Sequence, residues 1–248
     1  VVIERRSHDL LVPPSLYASR VFLAANLVTF AVYAALGGVF FLLVLQLQFA
    51  VGYSPIAAGV ATLPITALML VLSARAGSLA QRIGPRTPLT IGPLLVAAGI
   101  LLMSAINPGD RYVSAILPAV VVFGLGLALV VAPVTATALA AADPGNAGVA
   151  SGINNAVSRV ANLVAVALLP LIAGLGGGAF TDPEAMAVGF RTAMLATAAV
   201  AAAGGLVAWL TIDPKALSTA ATDHHCGVAG TPLRSTSPRC EPDRWRTD

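Results

Sequence analysis

The side chains able to do chemistry within the apolar body of this sequence are polar, uncharged and phased. Asn26, Thr29, Phe30, Tyr33 and Gly37 recur at helical spacing and share one face, which could line a cavity with amide, hydroxyl and aromatic groups. Ser151, Asn155, Ser158 and Asn162, at i, i+4, i+7 and i+11, form a second polar stripe. Two roles are open for both stripes: lining a cavity that holds water or substrate, or hydrogen bonding between packed helices. Arg159 stands one turn beyond Asn155, at a depth of about one to two turns. A cation there must pair or snorkel, so it is either a structural or gating group near a helix end or a substrate contact. Arg75, near the end of another apolar run, has the same roles open, and snorkelling suits its position.

What is absent from the apolar runs narrows the chemistry further. All eleven acidic residues fall in loops, in the tail or before the first run, and all three histidines lie towards the termini. Embedded acids mark proton relays and cation sites, and intramembrane catalysis needs an acid, a base or an activated nucleophile. The sequence therefore points away from an enzyme and calls for no cofactor. His224-His225-Cys226 with Cys240 downstream matches no structural zinc spacing, so no metal site is expected. Of 14 basic residues 13 are Arg, and a net charge of +3 does not single out a nucleic acid as partner.

The elements that must position these residues follow from composition. With 57% hydrophobic and only 10% charged residues among 248, the chain has too little polar surface for a soluble domain, which carries about a quarter charged residues. Six apolar segments, at 22–46, 56–79, 88–106, 112–139, 153–175 and 189–211, are each long enough to cross a bilayer at about 1.5 Å per residue. The expected class is an all-α polytopic membrane protein. The connections are short and carry turn residues, as in Gly52-Tyr53-Ser54-Pro55, Gly84-Pro85 and Asp143-Pro144-Gly145-Asn146, so successive spans must run antiparallel.

Positive charge sets an expected orientation. Arg5, Arg6, Arg20, Arg82, Arg86 and Lys215 would share one side, with the tail arginines, against Arg111 and Arg191 on the other. This puts a cytoplasmic N-terminal segment at 1–21, a six-span bundle at 22–212 and a disordered cytoplasmic tail at 213–248. Pro64, Pro93, Pro118, Pro133 and Pro170 lie in or beside spans, and Gly124-Leu125-Gly126-Leu127-Ala128 offers a smooth surface for close helix approach. The chain opens on Val1 rather than Met and shows no signal peptide, and it is expected to be part of a longer protein.

Gly77-Ser78-Leu79-Ala80-Gln81-Arg82-Ile83-Gly84-Pro85-Arg86 resembles the signature loop of the major facilitator superfamily, with Gln81 where the family usually has Asp. Gly77 would permit tight helix contact, Gly84-Pro85 would make the turn, and Arg82 and Arg86 could meet helix C-terminal carbonyls or a partner acid. Arg20-Val21-Phe22 with Asn26 and Phe30, Phe41-Leu42-Leu43 with Gln46 and Gln48, Gly52-Tyr53-Ser54-Pro55 with Leu63-Pro64, and Gly148 to Asn155 with Arg159 are similar to the fourteen-span drug:proton antiporter branch, in its actinobacterial form. Ala161-Asn162 departs from that branch, which usually has glycines there. The resemblance spans about residues 15 to 212. It implies the C-terminal half of such a transporter, built from two inverted three-helix repeats at 22–106 and 112–211. It also implies export of amphipathic compounds in exchange for protons, with the coupling acid in the missing N-terminal half. A facilitator or importer of a small metabolite on the same fold, and a non-transporting anchor or sensor, remain alternatives.

Overall fold

The computed structural model describes residues 14–142, 144–176, 182–214 and 217. Eight α-helices follow in order: α1 (Pro14–Ala18), α2 (Arg20–Phe49), α3 (Pro55–Ala61), α4 (Leu63–Ile83), α5 (Arg86–Met103), α6 (Leu117–Ala140), α7 (Ala147–Ile172) and α8 (Pro183–Thr211). A π-helical turn, Tyr112–Ile116, leads into α6, and a 3-10 turn, Pro144–Asn146, leads into α7. Counting α3 with α4 and the π-turn with α6, six spans among the described residues are long and apolar enough to cross a bilayer. No strand occurs among the described residues.

Several helices extend past the apolar runs because polar residues can begin a helix. The Ser19 side chain accepts the Phe22 N–H and starts α2, while Asp182 accepts the Glu184 N–H and starts α8 at Pro183 rather than near residue 189. Glu184, expected in a loop, therefore lies in the first turn of α8, where its charge suits the helix N-terminus. The second span is broken at Thr62. Pro64 has no N–H to donate, and the Thr62 N–H instead bonds back to Gly59 and Val60. The Thr62 hydroxyl donates to the Gly59 carbonyl at 2.8 Å, and the Tyr112 hydroxyl donates to the Ala61 carbonyl at 3.2 Å.

Helix packing repeats itself under an exchange of halves. α2 packs against α7 and α8, whereas α6 packs against α4 and α5; α2 also meets α6, and α5 meets α8. Exchanging α2 with α6, α4 with α7 and α5 with α8 leaves this pattern unchanged. Two crossings, α4 and α5, separate α2 from α6, so α6 runs opposite to α2 and the two three-helix units have opposite directions, as in inverted-repeat transporters. α2, α5, α6 and α8 form the centre, and α4 and α7 flank it.

Glycines set the closest approaches. A Cβ on Gly99 would sit 2.5 Å from the Phe123 backbone nitrogen, and one on Gly126 2.5 Å from that of Val96. α5 and α6 therefore touch backbone to backbone, with Gly126 supplying the smooth surface expected from its neighbourhood. Gly204 faces Ala31 of α2 and Gly205 faces Thr90 and Leu94 of α5, which wedges α8 between those two helices.

Candidate functional site

The first polar stripe and part of the second lie at one seam. α2 and α7 run parallel, since Asn26 lies beside Asn154, Gly37 beside Asn162 and Gly38 beside Leu169. At the start of the seam the Asn154 side-chain amide donates to Asn26 Oδ1 at 3.2 Å and to Thr29 Oγ1 at 2.8 Å. Asn26 in turn donates to the Phe22 carbonyl and Thr29 to the Ala25 carbonyl, each at 2.9 Å. All three side chains are buried. This is a helix-to-helix hydrogen-bond node, worth about 0.6 to 1.7 kcal/mol per bond in membrane bundles.

The remaining stripe residues spread across the edge of the seam. Tyr33 is half-buried, and Asn162 is half-buried against Gly37, where a Cβ would come within 2.9 Å of the Asn162 side chain. Ser158 is buried and donates back to the Asn155 carbonyl at 2.8 Å. Ser151, Asn155 and Arg159, at i, i+4 and i+8, are exposed on the outer side of α7. None of the described hydrogen bonds or ion pairs involves the Arg159 side chain. The phase of α7 explains the division: Ala150, Asn154, Ser158, Ala161, Ala165 and Leu169 form its buried face, so the stripe lies along the boundary.

Asn154 is the residue that the stripe pattern missed. Its neighbour Asn155 continues the i, i+4 spacing from Ser151, and this drew the phase one residue too far round the helix. The alanines at 150, 161 and 165 carry the correct phase.

Arg159 also lies deeper than its distance from the apolar run suggests. α7 begins at Ala147, so Arg159 is about 18 Å from one end and about 20 Å from the other. That is the middle of α7, and from there the side chain cannot reach either end of the helix. Arg75 differs: it stands eight residues before the end of α4, is exposed, and donates to the Val71 carbonyl at 3.4 Å.

The loop between α4 and α5 has a specific anchor. Gly84 has φ +87°, and a Cβ there would lie 2.0 Å from the Pro214 carbonyl oxygen, so only glycine fits the turn and the contact. Arg86 stacks its guanidinium 4.2 Å from the centre of the Trp209 ring of α8, a cation–π contact in place of the expected carbonyls or acid. Arg82 and Gln81 are exposed. Gly77 does not need to be glycine for packing, because a Cβ there would meet Ala132 at an ordinary 3.7 Å. No group of three or more metal-binding side chains occurs among the described residues, and the His224-His225-Cys226 and Cys240 cluster lies outside them.

The two flanking helices leave an uncovered face. In their most apolar windows, Pro55–Ile83 and Ala147–Ile172 are 17% and 22% buried, against 44% or more in the other four spans. A multi-pass α-helical membrane protein with two inverted three-helix units, each contributing one uncovered helix, is the class that this fold defines. The family model described as Major Facilitator Superfamily matches residues 4–166, and the chain belongs to that superfamily.

Its relatives include the puromycin resistance protein pur8 of Streptomyces alboniger, 34% identical over 94% of this chain and 48% of the relative. The multidrug resistance protein Stp of Mycobacterium tuberculosis is 29% identical over 74% of this chain and 34% of its own length. The tetracenomycin C resistance and export protein of Streptomyces glaucescens is 33% identical over 74% and 34%. The chain thus spans between a third and a half of the length of these curated relatives.

Proposed function

We propose that this chain forms the C-terminal six-span half of a proton-coupled exporter of drugs or amphipathic metabolites, in the fourteen-span antiporter branch. The observation that carries the proposal is the line Ser151, Asn155 and Arg159 on the exposed side of α7. Polar groups and a charge at that depth are costly against lipid, so this face belongs against water, substrate or protein. α4 and α7 would receive the other half of the transporter, and the substrate would sit between the halves. Asn155, Arg159 and the half-buried Tyr33 and Asn162 would border that space, while Asn26, Thr29 and Ser158 would set the position of α7 against α2. The relatives named for resistance or export support the direction of transport.

In the same proposal, the end bearing Arg20, Arg82 and Arg86 faces the cytoplasm. Residues 1–21 and 213–248 are cytoplasmic extensions of the 22–212 bundle, and protons drive exchange through an acid outside this chain. The protein acts as a carrier and not as an enzyme.

The test is ethidium efflux from cells expressing the complete gene. Efflux abolished by a protonophore and reduced several-fold by Asn155→Ala is the expected result. Efflux that survives collapse of the proton gradient would reject antiport, and an unchanged rate in Asn155→Ala would reject the cavity role of α7.

A further inference from the structure

Among the described residues, Arg159 is the only charged side chain near the middle of a span. A guanidinium keeps its proton under all physiological conditions, so burial cannot neutralise it. It calls for a counter-ion in any state that closes this face away from water. Transported substrate is present only part of the time, which leaves a resident group as the counter-ion. The helices packed against α7 do not supply one: α2 carries Arg20 and Tyr33, α6 carries no ionisable group, and α8 carries Glu184 and Arg191. Glu184 sits in the first turn of α8, at the far end of the bundle from the start of α7.

Building on the exporter reading, we propose that Arg159 pairs with a carboxylate carried by the part of the transporter packed across α7, and that this pair is the element through which a proton is exchanged for substrate. The stoichiometry is simple. With the carboxylate ionised, the pair is neutral and the two halves are held together at α7. When the carboxylate takes up a proton it becomes an uncharged acid, and the Arg159 charge is left without its counter-ion. The face then favours opening to water, where the guanidinium is solvated and the proton can leave again. Arg159 is a positioning residue in this scheme, because it sets the affinity of its partner for the proton without itself carrying one. Ser151 and Asn155 extend the same exposed line towards the end bearing Arg20, and Asn155, one turn away, can accept a hydrogen bond from the guanidinium when the pair is broken.

The test uses the complete transporter in everted membrane vesicles, with ethidium as substrate because it is a cation without a carboxylate. Removing a cation beside an acid raises the pKa of that acid by about 1 to 3 units. Arg159→Gln and Arg159→Ala should therefore move the midpoint of the pH dependence of transport upward by that amount, while Arg159→Lys keeps it near that of the unaltered protein. Revertants that restore efflux to Arg159→Ala should neutralise an Asp or Glu at membrane depth. An unmoved midpoint in an active Gln or Ala variant would overturn the pair, and so would revertants confined to positions without an acid. If neither variant reached the membrane, the revertants of Arg159→Ala would still decide. An unaltered transporter without proton-dependent efflux would instead overturn the exporter reading itself, together with this role for Arg159.

Discussion

The seams α2–α7 and α4–α6 occupy equivalent places in the two repeats, yet they are held by different forces. At α2–α7, Asn154 bridges Asn26 and Thr29 by directed hydrogen bonds. At α4–α6 the contact is close packing: a Cβ on Gly124 would come 3.1 Å from Ile65 Cα and 3.0 Å from Leu68 Cδ1. Lipid chains are as apolar as leucine, so neither seam draws on the hydrophobic effect as a soluble core would. A directed bond fixes register at one point. Dispersion depends on fit along the whole contact and falls steeply with a gap below 1 Å. The outer faces differ in the same sense, since α7 shows Ser151, Asn155 and Arg159 where α4 shows Leu63, Leu70 and Val71. One architecture can therefore carry a run of polar residues on one flank and a mostly apolar surface, with Arg75, on the other.

Three substitutions and one double-mutant cycle press on this contrast. Ile65→Asn should have the largest effect, since Ile65 is 1% exposed and a polar group there would lack a partner while packing is lost. A destabilisation of about 2 kcal/mol or more is expected, read as a lowered unfolding midpoint in detergent. Asn154→Leu comes next, at about 1 kcal/mol, because it leaves Asn26 and Thr29 without their shared donor. A double-mutant cycle between Asn154→Ala and Thr29→Ala should return a coupling of about 0.6 kcal/mol, and no coupling would remove the distinction between the seams. Smallest is Arg75→Gln, within about 0.5 kcal/mol, because the side chain is exposed and bonds only within its own helix. A loss of stability matching that of Asn154→Leu would show that the α4 flank is not inert.

Architecture was largely legible in the sequence. Run lengths and short loops predict six antiparallel spans, and the glycines at 124 and 126 mark a close-packed surface. Helix ends were less legible, because Ser19 and Asp182 begin helices in polar sequence that a hydropathy pattern discards. The break at Thr62 was signalled by Pro64, although proline is common enough in membrane helices that a break is not its only outcome. At the candidate site, periodicity finds which residues share a helix face but not which face meets another helix. It therefore brought out both stripes without showing that Ser158 and Asn162 turn inward on α7 while Ser151 and Asn155 face outward. The Arg86–Trp209 contact joins residues far apart in the chain, and no local pattern encodes it.

The wedge made by α8 constrains how the bundle can be assembled during synthesis. Gly204 and Gly205 fit α8 between α2 and α5, but α8 is translated after the other five described spans. About 80 residues separate the end of α5 from the start of α8, or about 4 to 16 s at common elongation rates of about 5 to 20 residues per second. Throughout that interval the surfaces of α2 and α5 that will hold α8 are left to lipid or to the insertion machinery. These six spans close on one another only after α8 arrives, and the ribosome sets the earliest moment at which their packing can be complete.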